Sequence, residues 1–211
     1  GGFIDKYIGD AIMALFLDAE SAVSAALEIQ RKLDHYNRAR REKGFLGLRT
    51  GIGIHAGPLM LGTIGEADRM EGTVISDTVN LASRLESLSA HYGAGIIVSE
   101  QAMQQQKSPR LHRVLDRVLV KGKKKALEII EVLDPERSSD QRLRYETADR
   151  FAEARLTFSR AIFASAREQF LAIKAENPDD RACDAFLARI QRLEGREIPA
   201  GWSGVNVLDS K

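Results

Sequence analysis

The sequence predicts an α/β sandwich built on one sheet, followed by a small α-helical C-terminal extension. Strand and helix patterns interleave from Phe3 to Leu133, whereas residues 141 to 194 carry no strand pattern and favour two or three helices. The change follows Asp134-Pro135, so we place a boundary near residue 135 and expect two units, residues 1–135 and 136–211. A length of 211 residues suits one main core with an addition.

The first element is a predicted β-hairpin from Phe3 to Leu17. Two short apolar runs flank Gly9-Asp10, and glycine at the first central position of a two-residue loop suits a type II′ turn. Aspartate is common at turns for its local hydrogen bonding, so Asp10 alone does not indicate a site.

A helix and an extended segment follow the hairpin. Apolar residues recur at helical spacing from Ala19 to about Lys43, and Gly44 marks the end of this amphipathic helix. The stretch "LGLRTGIGIHAGPLML", residues 46–61, alternates and is interrupted by glycines, which favours a core strand that bends into a second extended segment.

The remaining elements of the first unit are shorter. In chain order we expect a strand at Thr73–Ile75, a helix capped by Asp77, a strand at Gly95–Val98, a short helix at Glu100–Gln106, and strands at Arg113–Val120 and Ala126–Leu133. The basic turn "KGKKK" joins the last two strands.

The C-terminal unit is predicted to be helical with an extended tail. Its last helix opens at "NPDD", where Asn177 can cap and Pro178 can take the first helical position. The unit resembles one helix pair of a tetratricopeptide-type repeat, but solenoids need about three repeats, so we expect a cap docked on the main unit. The tail "IPAGWSGVNVLDSK" is expected to be extended.

Composition excludes several function classes. Lys plus Arg (31) balance Asp plus Glu (30), and the net charge of +1 gives no long-range attraction for nucleic acid or an anionic membrane. The single cysteine, Cys183, cannot form an internal disulfide, which favours a reducing, cytoplasmic location. No stretch approaches the ~18 apolar residues of a membrane span, so we expect no membrane contact by this segment. The chain opens directly into a strand pattern with no methionine, so we expect it to be cut from a longer protein, whose earlier part could hold sensor or membrane segments.

One predicted helix has a polar face suited to an anionic ligand. On a helix from about Thr78, Asn80 and Arg84 share a face, while the leucines at 81, 85 and 88 form the core face. An amide and a guanidinium one turn apart can orient an oxygen and grip phosphate oxygens in a bidentate fork. A solvated helix face is the alternative.

Other motifs carry less information. The lysines of "VKGKKK" suit either a solubilising strand edge or a site for a triphosphate. Glycine-rich "GTIGEADR" lacks the spacing of a phosphate-binding loop, the four histidines show no zinc-binding spacing, and no serine-hydrolase elbow is present.

Three stretches in one order resemble a known family. "FIDKYIGDAIMALF", "GIGIHAGPLMLGTIG" with "TVISDTVNLASRLE", and "VKGKKKALEIIEVL" are similar to the catalytic domain of class III nucleotidyl cyclases of the bacterial adenylate cyclase type. The resemblance covers residues 1 to about 133 and implies a ferredoxin-like, palm-type fold with one mostly antiparallel sheet. The tail with "IPAGWSGV" resembles an extension found on some bacterial members.

The resemblance implies roles for the nucleotide-binding residues. Lys6 matches the residue that recognises adenine and Thr73 its partner in base selection, where guanylate cyclases carry Glu and typically Cys or Ser. Lys121 matches the lysine that holds the terminal phosphates. The substrate implied is therefore ATP, and the products are 3′,5′-cyclic AMP and pyrophosphate.

The resemblance also implies the catalytic and metal-binding residues. Asn80 and Arg84 match the pair that orients the ribose and stabilises the pentavalent phosphorus. Asp10 matches the second of two aspartates that bind two divalent cations, Mg²⁺ or Mn²⁺. The first aspartate is expected before residue 1, in a stretch like D-I-R-G-F-T, and the chain as given could be inactive without it. Ser76 stands where members usually have Gly.

Family members form homodimers whose active sites lie at the interface, so the resemblance implies a homodimer with two sites. Three other interpretations stay open: a non-catalytic cyclase-like module for regulation or dimerisation, a guanylate cyclase, and a related palm-type enzyme such as a diguanylate cyclase. A diguanylate cyclase has no counterpart of Lys6, Thr73 and the Asn80/Arg84 pair.

Overall fold

A computed structural model describes residues 1–64, 71–75, 77–120 and 125–208, with residues 61, 63, 64 and 71–75 described by their backbone alone. Two positions discussed above, Ser76 and Lys121, lie outside the described residues.

The predicted N-terminal hairpin is confirmed. Strands β1 (Gly2–Ile8) and β2 (Ala11–Phe16) pair antiparallel, with Ile8 opposite Ala11 across a two-residue loop. Gly9 has a φ of +62° while Asp10 keeps a negative φ, the combination of a type II′ turn. Glycine adopts this left-handed φ without the Cβ clash that other residues meet, which explains its place at the turn.

The other elements follow the predicted order. The strands are β3 (Ile52–Ile54), β4 (Met60–Ile64), β5 (Glu71–Ile75), β6 (Ile96–Ser99), β7 (His112–Val120), β8 (Leu127–Val132) and β9 (Asn206–Leu208). The helices are α1 (Ala19–Glu42), α2 (Asp77–Tyr92), α3 (Glu100–Gln104), α4 (Ser139–Glu146), α5 (Ala148–Ser159), α6 (Phe163–Glu176) and α7 (Arg181–Leu193).

The predicted fold class is confirmed, and four of the six strand pairings in the described residues are antiparallel, although these strands form more than one sheet. The described strands form three sheets: the β1-β2 hairpin, the β4-β5 hairpin, and a five-stranded sheet in the order β3-β6-β8-β7-β9. Strands β6, β8 and β7 pair antiparallel, whereas β3 and β9 pair parallel to their neighbours at the two edges. The main sheet is therefore mixed.

The extension contains four helices where two or three were predicted, and its last helix starts later than expected. Asn177 ends α6, and Asp180 is the N-cap of α7, accepting a hydrogen bond from the amide of Ala182 at 3.1 Å. The expected cap at Asn177 with Pro178 in the first turn is wrong, because Asp180 takes the capping position instead. Asp77, expected to cap α2, is its first helical residue.

The main core runs without interruption from the sheet into the extension. One buried cluster joins α2, the sheet and helices α5 to α7, and its members include Leu85, Ile97, Val118, Phe151 and Phe170. A second, smaller cluster packs α1 on the other face of β3 and β6. Because apolar burial is the main favourable term in folding, this shared core should couple the extension to the sheet. None of the helices in the described ranges is long and apolar enough to cross a membrane.

Buried ion pairs fasten the extension to the sheet. Arg113 on β7 donates to Glu131 on β8 and to both oxygens of Asp180, at 2.8, 2.6 and 2.9 Å. The side chains of all three are at most 1% exposed. From α4, Arg144 donates to the second oxygen of Glu131 at 2.7 Å. Charges buried in this way are stabilising only as a complete set, since an unpaired member is costly.

The C-terminal tail is more ordered than the sequence predicted. Strand β9 adds to the edge of β7, with Asn206 opposite Val118 and Leu208 opposite Val120. Just before it, the ring of Trp202 packs edge-on against Phe158 and Phe163, with centroids 5.2 and 5.5 Å apart. The tail thus closes one edge of the main sheet.

Candidate active site

The β1-β2 hairpin presents Lys6 and Asp10, the two predicted site residues nearest the N-terminus. Lys6 lies on β1 just after a bulge, opposite Met13, and its side chain is 39% exposed. Its Nζ atom lies 3.5 Å from Oδ2 of Asp5. Asp10 is exposed at the turn. A cation partway along the hairpin and a carboxylate at its tip are thus both accessible to a ligand.

Helix α2 presents Asn80 and Arg84. Leu81 and Leu85 are buried in the main core, which confirms the predicted apolar face. Asn80 is exposed and Arg84 half-buried, one helical turn apart on a different face. Neither side chain hydrogen-bonds to another residue within the described ranges, so their amide and guanidinium donors are available to a ligand.

Close backbone packing holds the middle of α2 against β3. A Cβ on Gly53 of β3 would collide with the backbone of Ala82 and Glu86, so strand and helix approach as closely as only glycine allows. At the start of the helix, Thr78 donates from its hydroxyl to the carbonyl of Pro58 at 2.8 Å. From sequence, the glycines of "TGIGIHAG" predicted only interruptions of an extended segment, although glycine within a strand also signals a close approach by another backbone.

Of the predicted site residues, Thr73 is described by its backbone alone and Lys121 lies outside the described residues. Thr73 lies on β5, where its backbone pairs with Gly62 of β4, and its side chain lies outside the description. Lys121 lies outside the described residues and follows Val120, the last residue of β7, in sequence. The roles assigned to both by resemblance stay predictions.

The structure brings the predicted residues together in pairs. Lys6 and Asp10 share the hairpin, whose strand β2 contacts α1, while Asn80 and Arg84 share α2, which packs on β3 and β6. The four predicted residues therefore lie on two elements, the hairpin and α2, which contact different parts of the fold.

The described residues fit a divalent cation only in part. Hard cations such as Mg²⁺ take oxygen ligands, usually one or two carboxylates together with phosphate oxygens. Asp10 offers one such carboxylate at an exposed turn. No group of three or more His, Cys, Asp or Glu side chains able to hold a metal occurs in the part of the chain that the structure describes.

A buried polar network behind α2 was not predicted. Tyr92, the last residue of the helix, donates to Asp116 on β7 at 2.7 Å, and Arg189 on α7 donates to the same carboxylate oxygen at 2.7 Å. Nothing in the sequence separates these two charged residues from solvated ones, because their pairing depends on contacts between distant segments.

The described residues form an α/β domain in which a hairpin presents Lys6 and Asp10 and helix α2 presents Asn80 and Arg84. Comparison with known proteins then gives the family. Residues 6–130 match the family model described as "Adenylate and Guanylate cyclase catalytic domain", and the chain belongs to this family.

Curated relatives support the adenylate cyclase branch. An adenylate cyclase of Anabaena cylindrica is 45% identical over 141 residues, which are 63% of this chain and 28% of that protein. The "Adenylate cyclase, terminal-differentiation specific" of Dictyostelium discoideum is 34% identical over 208 residues, 94% of this chain and 10% of that protein. The chain thus spans less than a third of either relative, and the match to the Dictyostelium protein extends through the helical extension.

Solved structures show the same fold. The adenylyl cyclase CyaB from P. aeruginosa is 31% identical with a TM-score of 0.55, covering 63% of this chain and 72% of that one. The guanylyl cyclase Cya2 is 32% identical with a TM-score of 0.52, covering 62% of this chain and 69% of that one. Both base specificities therefore occur among proteins of similar structure.

Proposed function

We propose that the protein is an adenylate cyclase, which converts ATP to 3′,5′-cyclic AMP and pyrophosphate. The observation that carries the proposal is the pair Asn80 and Arg84 on one accessible face of α2, whose opposite face is fixed in the core. The adenylate cyclase names of the relatives from Anabaena and Dictyostelium support the choice of reaction.

The proposed reaction makes one bond and breaks one. The ribose 3′-oxygen bonds to the α-phosphorus, the bond from that phosphorus to the bridging oxygen breaks, pyrophosphate leaves, and the hydroxyl proton passes to solvent. Negative charge grows on the oxygens of the transferred phosphoryl group, so fixed donors aimed at them lower the barrier. Arg84 supplies such donors, and Asn80 orients the ribose so that the attacking oxygen lies in line.

Divalent cations are part of the proposal, with Asp10 as one ligand. When bound, two cations would lower the pKa of the attacking hydroxyl and neutralise the phosphates. The exposed carboxylate of Asp10 fits this role in its oxygen chemistry, with nucleotide phosphates supplying further oxygens. The lysine Lys121 is proposed to hold the terminal phosphates.

Base selection is assigned to Lys6 and Thr73. An ammonium group donates hydrogen bonds only, which suits the ring-nitrogen acceptors of adenine, whereas guanine presents a protonated ring nitrogen at the same edge. The double variant Lys6→Glu, Thr73→Cys should shift the ratio of kcat/KM values towards GTP. Retained ATP preference in an active double variant would contradict this assignment. Lys32→Glu, on an exposed face of α1, is the matched charge-reversal control and should leave the ratio unchanged.

We further propose that two copies of the chain form the sites together. Tyr7 and Ile12 are cross-strand partners on the hairpin and are 70% and 60% exposed, an apolar surface that a second subunit would cover. If Asp10 and Arg84 of different subunits form one site, mixing the inactive variants Asp10→Asn and Arg84→Ala should restore activity, to about a quarter of the wild-type value in a statistical mixture of dimers. No restoration after verified subunit exchange would contradict a shared site.

A guanylate cyclase is the second candidate, favoured by the similarity to the guanylyl cyclase Cya2. Parallel assays with ATP and GTP separate the two, since the adenylate proposal requires cyclic AMP as the main product. A non-catalytic module would form neither product. The proposed substrate and the buried thiol of Cys183 fit a cytoplasmic location, which cell fractionation would test.

A further inference from the structure

The last residue of α2 is bound on both sides by residues outside the cyclase motifs. The Tyr92 side chain is fully buried, and its hydroxyl donates to Oδ2 of Asp116 at 2.7 Å and accepts from Nδ2 of Asn206 at 3.2 Å. Arg189 donates to the same Asp116 oxygen at 2.7 Å. Two residues of the C-terminal extension therefore bind the end of α2, Asn206 on β9 directly and Arg189 on α7 through Asp116.

Because this network is buried, its polar groups are satisfied only when α2, β7 and the extension lie in one arrangement. Asp116 is 3% exposed and Arg189 7%. Burial raises the pKa of Asp116, against the opposing charge of Arg189, and burial together with the Asp116 carboxylate raises the pKa of Tyr92, so the phenol stays a donor. A buried donor or acceptor that loses its partner costs about 1–3 kcal/mol, which favours this single arrangement of helix, strand and extension.

Other contacts from the extension act on the same end of α2. Arg144 of α4 donates to the carbonyl of Gly93 at 2.9 Å, directly after the helix. Gly93 has a φ of +66°, typical of a residue that ends a helix, and the side chain of Arg181 on α7 lies against it. Helices α4 and α7 and strand β9 together form what we call the α2 clamp: Arg144, Arg181, Arg189 and Asn206.

The clamp binds one end of α2 and the candidate site residues lie towards the other end, so a small rotation of the helix at the clamp displaces them. Asn80 lies twelve residues before Tyr92, roughly 18 Å along the helix axis, and Arg84 about 12 Å. A tilt of about 5° at Tyr92 would move Asn80 by roughly 1.5 Å, and displacements of about 1 Å in a reacting geometry can cost up to ~100-fold in rate.

We propose that Asn206 and Arg189, acting through Tyr92 and Asp116, are positioning residues that hold Asn80 and Arg84 in their reactive orientation. The inference rests on the proposed cyclase function for its effect on rate, but not for its effect on the helix. It makes the helical extension part of the catalytic apparatus, so that turnover depends on residues that touch no substrate.

Two substitutions test the clamp from opposite sides. Tyr92→Phe removes the hydroxyl and keeps the ring, and Asn206→Ala removes the donor that reaches it. The control is Val207→Ala on the same strand, whose side chain is 60% exposed. All are made in the full natural protein and assayed well below their melting temperatures, so that the folded fraction does not change.

Both clamp variants should lose kcat by about tenfold while KM for ATP stays within about twofold, because Asn80 and Arg84 act mainly in the transition state. The double variant should lose little more than Tyr92→Phe alone, since that substitution already removes the hydrogen bond that Asn206→Ala deletes, together with the bond to Asp116. Hydrogen exchange in residues 77–92 should accelerate in the clamp variants and not in the control.

Kcat within twofold of the control, or a loss matched by an equal rise in KM, would overturn the proposal. If the wild-type protein forms no cyclic nucleotide, the proposed function fails, and the exchange measurement still decides the clamp: unchanged exchange across residues 77–92 in both variants overturns it.

Discussion

The buried pair between Arg113 and Asp180 allows the sharpest stability prediction. Asp180 is fully buried, accepts two hydrogen bonds from the Arg113 guanidinium and caps α7 through the amide of Ala182. Removing one member of a buried ion pair costs about 3–5 kcal/mol, and losing an N-cap about 1 kcal/mol. Asp180→Ala should therefore destabilise the protein by about 4 kcal/mol and lower its melting temperature by roughly 8–16 °C.

The assay follows two probes through urea unfolding. Far-UV circular dichroism reports all helices, while Trp202, the one tryptophan among the 211 residues, reports the packing of the extension. Because the extension shares its core with the sheet, both probes should give one coincident transition in the wild type and in the variant. The control is Asp184→Ala, on α7 as well, which removes an exposed ion pair with Lys174 of α6. It should lower the free energy of unfolding by less than about 1 kcal/mol.

The effect should also depend on pH. Burial acts to raise the pKa of Asp180, but Arg113 outweighs it, and the pKa lies below its ordinary value of 3.8. A depressed carboxyl pKa contributes stability above the unfolded value that is lost as pH falls. The difference between wild type and Asp180→Ala should therefore shrink below about pH 3.8. A cost under about 1 kcal/mol at neutral pH would show that the Arg113–Asp180 pair is not a major stabilising contact, and a Trp202 transition that shifts alone would show that the extension unfolds separately from the sheet.

Three further predictions concern the core and the candidate site. Gly53→Ala should cost about 1–3 kcal/mol and reduce turnover, because the new methyl group must push α2 away from β3; an unchanged urea midpoint would contradict that close approach. Cys183 is fully buried, and burial raises the pKa of its thiol, so its labelling by a disulfide reagent at pH 8, followed by peptide mass spectrometry, should occur at the rate of unfolding. Arg84→Ala should lower kcat by about 100-fold or more and change KM for ATP only a few-fold; equal changes in both would indicate a ground-state role.

The parts of the fold predicted from sequence were those set by local chemistry. Gly9 at its turn and the paired leucines Leu81 and Leu85 on α2 required only the neighbouring residues to be interpreted. By contrast, β9 is three residues long and is a strand only because β7 lies beside it. Its pairing could not be read from its own sequence.

The start of α7 shows the same limit on prediction at a single position. "NPDD" offers several residues able to cap a helix, and local preference favours Asn177 followed by Pro178. The structure uses Asp180, which is also held by Arg113 from a strand 67 residues away in sequence. The contact with Arg113 accompanies the choice of Asp180 over Asn177, and the local sequence does not contain it.

The candidate site was predictable only as far as the family resemblance reached. The motifs identified Lys6, Asp10, Asn80 and Arg84, and the structure places these on accessible surfaces of two elements. The network of Tyr92 could not be predicted, because no sequence motif distinguishes a tyrosine and charged residues that pair in the interior from those that face solvent.

The most direct test of the proposed function is a product assay on the full natural protein. With Mn²⁺ or Mg²⁺ and equal concentrations of ATP and GTP, we expect cyclic AMP as the main product and its near disappearance in Arg84→Ala. Cyclic GMP as the main product, or no cyclic nucleotide at any protein concentration that supports dimers, would contradict it.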